Sequence, residues 1–230
     1  MVSSGTYDFS AANADIVLMA FDRLRIMPSA VTQEHMWTAR NEINLLFSEW
    51  SSKQVNLWKV ELYTEPLLDG VPSYAVLPRT VMILDAYVQT GSGTSAIDRV
   101  ISPISRTDYA ALPNKLIQGY PTSFWFDRLI NPTINLWPVP DGGGPYVLKY
   151  YACIQVQDAD MGMAQTPDVP YLWLDAMVAG LAHRLSRKYA PDIEVLRKSD
   201  AMEAWTIAAT QNVENVPMAI APAVRSFYPR

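Results

Sequence analysis

Few residues of this chain have the type and spacing that chemistry needs. Its imidazoles are His35 and His183, and its one thiol is Cys153. A Ser-His-Asp site needs an imidazole beside a nucleophile on a sharp Gly-x-Ser-x-Gly turn, and no such pentapeptide occurs. Zinc needs ligands at short spacing, as in His-Glu-x-x-His, and no paired-histidine motif is present. His35 falls in the first turn of one predicted helix and His183 inside another, so each reads as a helix-surface or interface residue. Cys153 sits in the apolar run Tyr150-Tyr151-Ala152-Cys153-Ile154, where a buried, inert thiol is expected. A single cysteine also excludes an intrachain disulfide and a cysteine-ligated zinc site.

The glycine and carboxylate clusters lead no further. Gly91-Ser92-Gly93 lacks a third glycine at dinucleotide spacing, and Asp141-Gly142-Gly143-Gly144 lacks the Lys-Ser/Thr that ends a P-loop, so both read as turns. Asp158 and Asp160, followed by Gly162, lack the twelve-residue ligand spacing and terminal Glu of a calcium loop. Glycosidase carboxylates must flank a cleft at a defined separation, which proximity in sequence does not supply. That stretch reads as a solvated loop. No catalytic residue, metal or cofactor is therefore assigned, and the chain reads as a non-enzyme.

Composition narrows the field. In 230 residues, half are hydrophobic and 18% charged, which suits a packed core. The formal charge is −5, and the densest basic groupings are Arg184/Arg187/Lys188 and Arg197/Lys198. Duplex binding draws its affinity from neutralised phosphates, so tight DNA binding is disfavoured, while a conduit that DNA crosses without sticking is compatible. No basic start followed by a long apolar stretch marks a signal peptide, and no apolar run is long enough to span a bilayer. A soluble protein, intracellular when made, is expected. Seven Trp and twelve Tyr point to an aromatic-rich core or to subunit interfaces.

The elements that must carry these residues run helices, strands, helices, tail. After Ser10, a candidate N-cap, Ile16, Met19, Ala20 and Leu24 recur at helical spacing. After Thr32, Met36, Ala39, Ile43, Leu46 and Trp50 form a second stripe, and the two helices are expected to pair as an antiparallel hairpin. From Asn56 to about Gln157, some seven short alternating runs separated by Gly/Pro/Asp turns predict strands. A short helix is predicted from Ser105 to Leu112, opened by Ser105 with Asp108 three residues on. Helices return with Leu174, Met177, Val178, Leu181 and Leu185 on one face, and then with Val195, Met202, Trp205 and Ala209. The fold class is α+β: a helical bundle from 1–55 and 158–212, an inserted antiparallel β sandwich or barrel from 56–157, and an extended arm over 213–230.

Two stretches carry a resemblance. One runs Asp98-Arg99-Val100-Ile101, Ser105-Arg106, Asp108 to Lys115 and Gly119-Tyr120-Pro121. The other is Leu136-Trp137-Pro138-Val139-Pro140-Asp141, continuing into Tyr146 to Tyr151. With Trp50, Leu57-Trp58 and Pro167-Asp168-Val169-Pro170, they resemble the head-to-tail adaptors of short-tailed bacteriophages, the tail accessory factors or tail tubular proteins A. Read as residues, they are structural. Trp137 is expected in the core, Pro138 and Pro140 end a strand, and Asp141 with its glycines reverses the chain.

The resemblance implies a virion protein that forms a dodecameric ring beneath the dodecameric portal protein. It implies that the ring receives the tail nozzle protein below and grips the portal with a C-terminal extension. The match puts that extension at Val213–Arg230. Val216, Ile220, Val224, Phe227 and Tyr228 offer apolar anchors there, and Arg225 and Arg230 offer charges for acidic groups. DNA is expected to pass through without specific binding. Abundant Trp and Tyr on a β scaffold suggest an alternative, a carbohydrate-binding or glycan-degrading tail component. A portal-independent tail-completion protein differs only in partner.

Overall fold

The computed structural model describes residues 9–160 and 164–213. The chain forms α1 (Asn13–Arg23), α2 (Gln33–Lys53), β1 (Val60–Leu67), β2 (Ser73–Ala75), β3 (Thr80–Thr90), β4 (Ile97–Pro103), α3 (Arg106–Ala111), β5 (Ser123–Asp127), β6 (Thr133–Trp137), β7 (Tyr146–Ile154), α4 (Leu174–Tyr189) and α5 (Glu194–Thr210). This is the α+β class expected, with helices at both ends of the described chain around a curled seven-stranded sheet.

Local chemistry starts and stops the helices. α1 begins at Ala12, not Ser10: the Ala12 N–H donates to the Asp15 carboxylate at 3.1 Å. α1 ends with Arg25 in the left-handed region at φ 64°, where the Ile26 N–H reaches the Phe21 carbonyl at 3.1 Å. Its buried stripe is Ile16, Val17, Ala20 and Phe21, and Met19 is 40% exposed instead. α2 starts at Thr32 and buries Ala39, Ile43, Leu46, Phe47 and Trp50. α4 is the hub, with α1, α2 and α5 all packed on it. α1 and α2 share less contact with each other than either has with α4, so the predicted hairpin is held through a third helix. The apolar cluster of this part draws on residues from Ala11 to Trp50 and from Val156 to Ala208.

The sheet runs β1-β7-β3-β4-β5-β6-β2. Every pair is antiparallel except β4–β5, which is parallel through Ser102↔Ser123 and Pro103↔Phe124. The sheet is therefore mixed. A parallel neighbour needs a crossover, and α3 with residues 112–122 supplies it. Register shifts at Thr80/Met82 and Ile83/Asp85 bend β3 where it meets β7. The enclosed face carries Val88, Ile101, Phe124, Ile134, Leu136, Leu148 and Ala152 in a second apolar cluster.

Trp137 is not the core aromatic that the sequence suggested. On β6, Ile134 and Leu136 are buried and Trp137 is half-buried on the other face. Pleating sends alternate side chains to opposite faces, so burying Leu136 turns Trp137 outward. The arm residues Val216, Ile220, Val224, Arg225, Phe227, Tyr228 and Arg230 lie outside the described residues, as does Gly162.

Candidate interaction surfaces

The two stretches singled out in sequence meet in space as one hydrogen-bonded unit. The Trp137 indole N–H donates to the Asn114 carbonyl at 3.1 Å. Val139 N–H reaches Ile117 O at 2.9 Å, and Gly119 N–H reaches Val139 O at 2.8 Å. Thr122 N–H donates to Trp137 O at 3.1 Å, and Gly70 N–H to Pro140 O at 2.9 Å. Pro138 follows a cis peptide bond and packs near Gly119. Val139 and Pro140 are buried.

Asp141 Oδ1 accepts from Gly143 N–H at 3.0 Å and from the Tyr146 hydroxyl at 2.8 Å. That second bond, with burial, pushes the Tyr146 phenol above its usual range. A Cβ on Gly143 would lie 2.9 Å from the Tyr146 hydroxyl and 3.0 Å from Asp141 Oδ1, so a side chain there would have to displace that hydrogen-bonded pair. Trp137, Pro138, Pro140 and Asp141 thus brace the loops at one end of the sheet. Tyr120 belongs to the same brace, its hydroxyl donating to Val88 O at 3.0 Å and its ring lying beneath Arg99.

A second polar joint ties helices to sheet, and sequence reading missed it. Lys59 is 5% exposed, and its ammonium lies 2.7 Å from Asp168. The same carboxylate oxygen accepts from Gln157 N–H at 3.0 Å. Trp58 and Trp173 pack beside it with ring centroids 4.7 Å apart. An acid held between Pro167 and Pro170 was the available signal, since prolines fix where it points. The following loop docks on α2: Ala159 N–H donates to Asn44 Oδ1 at 2.8 Å and Ala159 O accepts from Arg40 Nε at 3.0 Å.

Four of the five basic residues that might have formed a nucleic-acid face, all but Lys198, lie within 4 Å of carboxylates. Arg184 pairs with Glu42 at 3.2 Å and with Glu49. Arg187 pairs with Glu194 at 3.8 Å, Lys188 with Glu34 at 3.8 Å, and Arg197 with Asp200 at 3.1 Å. Burial raises the Glu49 carboxyl, but hydrogen bonds from Lys53 and Arg184 outweigh it and leave the group below its usual range.

Two surfaces are unfinished. α2 and α5 both lean on α4 and leave a groove of about 440 Å³ between them. Leu46, Trp50, Ala176, Gly180, Met202 and Trp205 give it an apolar lining, and Lys53, Arg187 and Lys198 stand at its rim. A Cβ on Gly180 would come within 3.0 Å of Leu46, which is how α2 and α4 approach closely. α5 also carries exposed Val195, Leu196 and Ile207, so it is apolar on more than the face that α4 covers. Leu196 and Ile207, lying off the stripe of Val195, Met202 and Trp205, were the sequence signal.

The other unfinished surface is the flank of β4. Ser102 and Ile104 donate toward β5 through Thr122 O and Phe124 O. Strand alternation then turns the N–H and C=O of Asp98 and Val100 the same way, where they have no backbone partner among the described residues. Val100 is 81% exposed.

The chemistry candidates fall into structural places. His35 packs between the rings of Phe21 and Tyr189. His183 lies 3.0 Å from Glu194. Cys153 is buried, and burial pushes its thiol up. Asp158 is exposed. Among the described residues no cluster of His, Cys, Asp and Glu could hold a metal ion. No helix among them is long and apolar enough to cross a membrane.

Comparison with known proteins agrees with scaffold rather than active site. No curated protein matches the chain. The sequence model of the SU10 adaptor protein family matches residues 28–221, a span that takes in α2, the whole sheet, α4 and α5. The chain therefore belongs to the SU10 adaptor protein family and is a phage adaptor, a structural component of the virion that joins other phage head or tail proteins.

Proposed function

We propose that this adaptor sits between portal and tail nozzle as a homo-oligomeric ring of twelve copies that continues the DNA channel, in the manner of the head-to-tail adaptors of short-tailed phages. The observation that carries the reading is the family match across helices and sheet alike. Support comes from the resemblance in residues 98–121 and 136–151, which the fold joins into one braced end of the sheet. An overall charge of −5, with most basic side chains of α4 and α5 paired to carboxylates, suits a wall that DNA passes without adhering. The helical bundle and the inserted sheet act as two structural units, and the arm over 213–230 attaches to the portal through its apolar anchors and Arg225 and Arg230.

The glycan-binding alternative loses its motive. Only Trp37 of the seven Trp is exposed; Trp50, Trp58, Trp173 and Trp205 pack in or against the helical core, and Trp125 and Trp137 are half-buried on the outer face of the sheet. A sugar platform needs several open rings in one groove. Electron microscopy of purified chain mixed with purified portal tests the proposal. The expected result is a twelve-fold ring on the portal's tail-facing end, lost when residues 213–230 are deleted. A chain that ignores portal, or attaches equally without those residues, would sink it.

A further inference from the structure

We propose that each copy pairs the open flank of β4 with the outer edge of β1 in the next copy, so that main-chain bonds join the copies side to side. This rests on the ring of the proposed function and names the contact that closes it.

Both edges are unfinished in the same way. β5 takes up β4 only at Ser102 and Pro103, which leaves residues 97–100 open on that flank. β1 ends the sheet order and has no strand beyond it among the described residues. Open edges invite any passing strand, and a closed ring removes both edges from every copy at once. Two different surfaces of one chain that fit each other make a head-to-tail contact, the kind that generates rings.

Direction and main-chain phase agree. β1, β7, β3 and β4 are successively antiparallel, so β1 and β4 run in opposite senses. Rotation about an axis along the strands keeps each strand's sense and height, so the neighbour's β1 arrives antiparallel to β4. Asp98 and Val100 turn their main-chain groups outward, and Arg99 turns its own toward Val88. Carried across the ladder, this alternation points Leu148 and Tyr150 at β1 and leaves Leu62, Thr64 and Pro66 facing out. Pro66 fits that phase, because its nitrogen has no hydrogen to give β7. The cross-strand row Thr64–Lys149–Tyr87–Val100 sets Thr64 and Val100 at one height. They then exchange both main-chain bonds across the junction, while Asp98 N–H donates to Pro66 O.

The side chains agree with this register. The row Glu65–Leu148–Val88–Arg99 lies on the enclosed face and places Arg99 of one copy directly beside Glu65 of the next. That is a pair without main-chain bonds, where side chains come closest. Among the described residues neither side chain joins an ion pair within its own chain. The Arg99 guanidinium is held at the flank, 5.2 Å from the centre of the Tyr120 ring. Ile97, 56% exposed, meets Leu67 on the same face, and Val100 meets Thr64 on the other.

Charge exchange tests this on purified portal. Arg99→Glu alone, or Glu65→Arg alone, should raise the concentration needed for rings at least about tenfold, while the free chain melts as before. Mixed in equal amounts, the two variants should assemble again, alternating round the ring, because every junction then regains one acid and one base. Variants that assemble normally alone, or that stay apart when mixed, overturn the contact. A Thr64→Cys/Val100→Cys chain gives a second reading. Within one copy those positions are three strand spacings, about 14 Å, apart, so no internal disulfide forms. Oxidised rings should give a ladder of covalent multimers. Rings without that ladder overturn the contact and leave the ring standing, whereas an unaltered chain that forms no ring on portal overturns the ring and the contact together.

Discussion

The helical part and the sheet are held by different forces. Helices satisfy their own main-chain groups, so nothing in their backbones dictates how one sits on another. Side chains must do it, and here they include ion pairs across large sequence separations: Arg184 to Glu42 and Glu49, Lys188 to Glu34, Arg23 to Asp175. In the sheet the main chain itself sets neighbour and register, and no ion pair joins two strands among the described residues. Acid and salt should therefore loosen the helices first, while the sheet answers chiefly to packing.

The largest effects should come from each core. Phe21→Ala should cost about 3–5 kcal/mol and Leu136→Ala about 2–5 kcal/mol in denaturant unfolding, since both side chains are fully buried. The neighbouring Trp137→Ala should cost less than Leu136→Ala, because its ring is half-exposed. The reverse order would mean that the face assignment of β6 is wrong.

Next comes the joint between the two regions. Asp168→Asn should cost about 3 kcal/mol by leaving the Lys59 ammonium buried without its carboxylate. Adding Lys59→Met should recover most of that loss, and a double variant no better than the single one would show that charge is not what the joint supplies.

The pH responses of the two regions should run in opposite directions. Burial, with Glu65 and Tyr63 adding, pushes the Tyr150 phenol of the sheet up to about 12. Its contribution is complete below the unfolded value near 10 and is lost as pH rises through about 12. Tyr150→Phe should flatten that alkaline decline in thermal melts. The Glu49 carboxyl is depressed, so its contribution is present above the unfolded value of 4.5 and lost as pH falls through the lower folded value. Glu49→Gln should reduce the acid sensitivity of the helices, by a small amount because the pair is partly solvated. Acid sensitivity unchanged by Glu49→Gln would remove this network from the comparison.

Much of this architecture was legible in the sequence. The capping box at Ser105 and Asp108 appears as predicted, with Asp108 N–H donating to Ser105 Oγ at 3.0 Å. All seven strands fall inside the stretch from Asn56 to about Gln157 where alternating runs predicted them. Local rules suffice for such elements because caps, turns and pleats act within a few residues. The start of α1 was misplaced for a reason equally local: Asp15 reaches back to Ala12, which made Ser10 unnecessary as a cap. The candidate surfaces were the less legible part: the stretches at 98–121 and 136–151 were named from sequence, but the groove beside α5 and the open flank of β4 were not.

By itself the sequence determined the element order, the fold class and the family resemblance. Each of these depends on residue type and on spacing along the chain. Only the tertiary structure decided that β4 and β5 run parallel, that Lys59 meets Asp168, that α4 carries α1, α2 and α5, and that a groove stays open beside Trp205. These depend on which residues come together after distant segments pack, and periodicity along one segment says which face is apolar but not what will cover it.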